Sequence, residues 1–139
     1  MKATDELMTR FYQHLGELFY AVAKADGMVR SEEEVQLKVI IDKEWIPLED
    51  SEDVFHTDAA YQIETVFQNL REGFSDSETT FEDFRLFKKT HEHLFTKDVV
   101  DLVIKTSKAI ANAYHGTDKN ESAFLLKLET LLNKSILHQ

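Results

Sequence analysis

The acidic side chains of KADGMVRSEEEV, residues 24–35, are the ones whose types and spacing suggest chemistry. Asp26-Gly27 ends an alanine-rich run, and Glu32, Glu33 and Glu34 follow five residues on. Carboxylate oxygens suit hard divalent cations such as Ca²⁺, Mg²⁺ and Mn²⁺. Asp26 is expected at a helix C-terminus, where partial negative charge disfavours a carboxylate by ~0.3–1 kcal/mol. A cation held between Asp26 and Glu33 or Glu34 removes that cost. A true EF-hand is excluded. Taking Gly27 as the sixth loop position puts Val29 and Glu33 at the eighth and twelfth, but leaves Val22 and Lys24 where carboxylates are required. The competing reading needs no ion. Asp26 then accepts hydrogen bonds from the N–H groups of its own turn, and the glutamates simply oppose the helix dipole.

Other candidates are weaker. His91 and His93 lie two apart, so on a helix they point away from each other and cannot chelate one ion together. His91 continues an apolar stripe and reads as a packing residue. The acidic run 42–53 holds six acids and one base around Trp45. With Glu44, Glu49, Asp50, Glu52 and Asp53 it is either a docking surface for a basic partner or a solvated loop with Trp45 turned into the core. Di-iron bundles need Glu-x-x-His pairs on facing helices, and none occurs; Glu17 meets Tyr20 at that spacing. There is no phosphate-cradling glycine loop. Enzymatic activity is not expected.

The chain that must position these residues has 139 of them, about one domain, with 42% apolar residues and ten phenylalanines to build a core. Four glycines and a single proline favour helices. With no cysteine, disulfides and thiolate metal sites are excluded, and a cytoplasmic protein is the expectation. No membrane insertion is expected, since no apolar run approaches the ~20 residues of a membrane span. The net charge is −10, with 17 acids against 5 bases between residues 26 and 86. Nucleic acid is excluded as a partner, because that affinity rests on Lys and Arg meeting phosphates. Cations and proteins with a basic surface are the complements.

Periodicity predicts an all-α bundle of about six helices in a single domain, 1–139. The first runs from a Thr4 cap to about residue 25 through Leu7, Phe11, Leu15, Leu18 and Val22, with Gly27 closing it in the left-handed conformation. The second spans about 32–45, opened by a Ser31/Glu34 capping box, ended by Pro47, and apolar on several faces. It is expected to be more central than the first, its faces satisfied within one chain or by a homodimer. The third starts near Thr57 or Asp58 with a stripe of Ile63, Val66, Phe67, Leu70 and Phe74. The fourth aligns Phe81, Phe84, Phe87, His91 and Leu94. Thr96 caps the fifth, about 97–114, and Asn120 caps the sixth.

The hairpin 21–40 recurs weakly at 109–128. Ala21, Val22, Ala23 and Ala25 align with Ala109, Ile110, Ala111 and Ala113, and Gly27 with Gly116, while Tyr114 replaces Asp26. An alanine-rich helix, then Ala25-Asp26-Gly27-Met28-Val29-Arg30-Ser31, then Glu32-Glu33-Glu34, resembles the signature of the TerB-like family, named for a tellurite-resistance protein. The degenerate second copy suits that family too. The resemblance implies a compact all-α domain without known enzymatic activity, linked to tellurite resistance and stress responses. It also implies metal-binding acidic residues, here Asp26 with Glu33 and Glu34, and work within larger assemblies, some at the membrane.

Overall fold

The computed structural model describes residues 5–48, 59–113 and 119–137. Among these the chain is all-helical, with no strand. We number the main helices α1 (Asp5–Lys24), α2 (Ser31–Ile40), α3 (Gln62–Glu72), α4 (Ser77–Thr90), α5 (Lys97–Asn112) and α6 (Lys119–Leu137). The third-helix start expected at 57–58, and the second Asp-Gly-like turn at 114–118, lie outside the described residues.

The centre of the bundle is α1, which packs against α3, α4, α5 and α6. Its predicted stripe residues Phe11, Leu15, Leu18 and Val22 are buried, and so are Tyr12, Phe19, Tyr20, Ala21 and Ala23 on its other faces. The small side chains at 21 and 23 let neighbours close around its last turns. The expectation that α2 is more central than α1 is therefore corrected. It packs chiefly on α5 and keeps Val35 and Val39 exposed, with Leu37 and Ile40 buried.

Gly16 brings α1 and α3 together. A Cβ there would stand 2.7 Å from the Ile63 carbonyl oxygen and 2.9 Å from the Val66 Cβ. The Tyr20 hydroxyl donates to the Ser75 carbonyl (2.5 Å), and the Ser77 hydroxyl donates to the Ala21 carbonyl (2.8 Å). These bonds fasten the α3–α4 junction to α1.

Gly27 takes the expected left-handed conformation, φ +95°, but it stands three residues past Lys24, where α1 ends, in a turn closed by its own N–H to the Lys24 carbonyl. The capping box of α2 lies one residue earlier than expected. Arg30 is the N-cap in extended conformation, and the Glu33 carboxylate accepts its N–H at 2.7 Å. Because the helix starts at Ser31, its third position is Glu33 and not Glu34. Beyond Ile40 the chain widens into a π turn, Ile41–Trp45, with the Ile46 N–H reaching back to the Ile41 carbonyl. Residues 46–48 continue helical, so Pro47 does not stop the element at Trp45. The wider turn accommodates a residue that has no N–H to return to the ladder.

Trp45 is fully buried, edge-on to Tyr12 and beside Phe19, and its indole N–H donates to the Thr106 hydroxyl at 3.1 Å. The core reading of Trp45 holds. Phe81, Phe84 and Phe87 are buried as expected. However, α4 stops at Thr90, and His91 leaves the helix before a short 3₁₀ turn, Glu92–Leu94. Thr96 caps α5 by accepting the Val99 N–H.

Candidate functional site

The three carboxylates of the Asp-Gly turn each have a partner within the protein. Asp26 Oδ1 accepts the Met28 N–H at 3.0 Å, and its Oδ2 lies 3.5 Å from Arg30 Nη2. Glu33, with 2% of its surface exposed, is committed to the Arg30 N–H. Glu34 pairs with Arg71 of α3 and accepts the Gln68 amide at 3.3 Å. The turn thus makes an Asx turn, a helix cap and a bridge to α3. Among the described residues, these three do not gather their oxygens into one cluster; the only such group joins His14, Glu17 and Asp83.

This same turn, through Gly27, Met28 and Val29, lines an open groove of about 850 Å³ together with Tyr20, Lys24, Arg71 and Phe74. Phe74 was expected in the buried stripe of α3 and is instead 82% exposed. It sits at φ +54°. Its N–H goes to the Arg71 carbonyl and the next N–H, of Ser75, goes to the Leu70 carbonyl, so α3 ends in a Schellman motif with Phe74 in the left-handed position that glycine normally fills. A non-glycine residue there costs about 1–2 kcal/mol. Gly73, one residue earlier, takes ordinary right-handed angles. The fold thus carries a strained, exposed aromatic in the same groove as Met28, itself 57% exposed.

A second constellation lies between α1 and α4. His14 Nδ1 hydrogen-bonds Glu17 one turn on, and stands 3.5 Å from Asp83 Oδ2 of α4. The His14 ring stacks on Phe87 at 4.1 Å, and Phe87 stacks in turn on His91 at 4.4 Å. Burial, partly offset by the hydrogen bond from His14 and reinforced by the neighbouring Asp83 carboxylate, pushes the Glu17 carboxyl up to about 7.

The remaining sequence candidates are placed as follows. Glu44 pairs with Lys105 at 2.7 Å, and residues 49–53 lie outside the described residues. The His91 and His93 ring centres are 6.2 Å apart. Sequence reasoning passed over His14 and Glu17 because it sought glutamate before histidine; the reversed order puts the same two groups on one helical face. Nothing in the sequence brings Asp83 to them. Phe74 was open to notice as a phenylalanine just past the Gly73 that should have ended α3.

No family model, curated protein or solved structure matches the chain. Among the described residues, no helix is long and apolar enough to cross a membrane.

Proposed function

We propose that the chain is a non-enzymatic, stress-associated binding domain of the kind its TerB-like stretch implies, and that it docks a partner protein in the groove beside Asp26-Gly27. The observation that carries this reading is Phe74. The fold gains little from a phenylalanine that is mostly in water and in a backbone conformation it disfavours. Strain of this kind collects at sites where it serves recognition. An exposed aromatic that shares its groove with an exposed methionine supplies the apolar anchor typical of interface hot spots. The net charge of −10 favours a partner segment with basic residues flanking its apolar anchor.

Peptides selected from a random library on the immobilised wild-type chain, then measured by fluorescence anisotropy, test this. The selected peptides should combine an aliphatic or aromatic side chain with Lys or Arg. Phe74→Asn keeps a residue that tolerates the left-handed conformation and removes the ring. It should weaken binding about thirtyfold, a hot-spot loss of about 2 kcal/mol. Leu126→Ser, an exposed site on α6, should leave binding unchanged. Equal binding to wild type and Phe74→Asn would refute the groove.

A further inference from the structure

We propose that His14, Glu17 and Asp83 form a binding site for a divalent transition-metal ion that clamps α1 to α4. The inference is independent of the groove reading. It rests on convergence of ligand atoms: a His14 ring nitrogen and one oxygen from each carboxylate all lie within 4.8 Å of one another, and Nδ1 is the nitrogen that contacts both acids. An ion with bonds of about 2.0–2.1 Å in tetrahedral geometry holds its donors roughly 3.3 Å apart. The His14–Asp83 separation of 3.5 Å is already close to that. The His14–Glu17 pair is closer and has only to open slightly. Asp83, whose side chain is 55% exposed, can turn to complete the set without moving a helix.

Charge and surroundings agree. A neutral imidazole and two carboxylates carry −2, which matches a divalent ion. One nitrogen and two oxygens suit Zn²⁺, Co²⁺ or Mn²⁺ better than Ca²⁺, which takes oxygen alone and more of it. The stack of His14 on Phe87 fixes the plane of the imidazole, the kind of orientation metal-ligating histidines require. Access is open as well. Glu17 and Asp83 face a solvent groove of about 950 Å³ that is also lined by Asp76, Glu78 and Glu82 against Lys127, a net-acidic mouth that concentrates cations. Water entering by this groove fills the remaining coordination positions. Metal entry displaces the proton held between His14 Nδ1 and Glu17, and that proton leaves to solvent.

The test adds Co²⁺ to the full-length wild-type chain and follows its visible ligand-field bands, with calorimetry of Zn²⁺ in parallel. One equivalent should bind saturably, with bands typical of a nitrogen–oxygen site, and should raise the melting temperature. Asp83→Asn and His14→Gln should each weaken Co²⁺ binding by at least about tenfold. The exposed position of Asp83 keeps Asp83→Asn folded, which circular dichroism verifies, so its loss of binding cannot be blamed on unfolding. The proposal is overturned if wild type shows no saturable Co²⁺ binding, or if either folded variant binds as wild type does.

Discussion

Gly16→Ala probes the contact that sets both the bundle and its groove. Two effects of opposite sign compete. Replacing a mid-helix glycine by alanine favours the helix by about 1 kcal/mol. Against this, the new methyl would sit 2.7 Å from the Ile63 carbonyl oxygen and 2.9 Å from the Val66 Cβ. Neither obstacle is the far end of a flexible side chain, so the helices themselves must part. Forcing groups into a packed interface costs about 1–3 kcal/mol, and backbone obstacles put this case at the upper end. The net expectation is a loss of about 2 kcal/mol, a fall in melting temperature of roughly 8 °C for a domain of this size. Urea denaturation followed by circular dichroism measures it. Adding Val66→Ala should not rescue the variant, because the Cβ of residue 66 and the Ile63 carbonyl both remain. Since the groove is lined by Tyr20 and Lys24 of α1 and by Arg71 of α3, partner binding should weaken with stability. An unchanged or increased stability for Gly16→Ala would refute the close approach of α1 and α3.

The same denaturation assay checks three further expectations. Thr106→Val strands the buried Trp45 indole N–H and should cost about 1–3 kcal/mol. Lys88, buried on α4 with its ammonium 3.4 Å from both Glu92 and the Leu131 carbonyl, should tolerate Lys88→Met nearly neutrally, whereas Lys88→Ala should lose about 2–4 kcal/mol through the cavity it leaves. Glu17, facing His14 and Asp83, has its carboxyl raised from 4.5 to about 7, so the folded state holds the proton more tightly than the unfolded chain. Its contribution is fully present below pH 4.5 and is lost as pH rises to about 7. After solvent screening the loss is about 1 kcal/mol, and Glu17→Gln should flatten that part of the stability profile of the metal-free protein.

Helical periodicity made most of the fold legible. The buried stripe of α1, the left-handed Gly27 and the Thr96 cap follow from local rules that tertiary contacts leave intact. Which helix is central did not follow. Periodicity tells how many faces of α2 are apolar but not whether neighbours cover them, and Val35 and Val39 remain in water. The helical path through Pro47 depends on a π turn that no residue pattern announces. For the sites, the sequence located the Asp-Gly turn, and its bridge to Arg71 of α3 is a long-range fact. Phe74 was misplaced because the stripe of α3 continued past the residue where its geometry ends. The meeting of His14 and Glu17 with Asp83 is set by how α1 lies on α4, which only the assembled bundle specifies.

The central claim is that the Asp-Gly turn is a wall of a docking groove and not itself a cation site. Amide NMR spectra of the wild-type chain, recorded as Mg²⁺ is raised into the millimolar range of weak cation modules, test it most directly. The account predicts that the amides of residues 26–34 stay where they are, because Asp26, Glu33 and Glu34 already serve the Met28 N–H, the Arg30 N–H and Arg71. Saturable shifts centred on residues 26–34 and abolished by Asp26→Ala would contradict it.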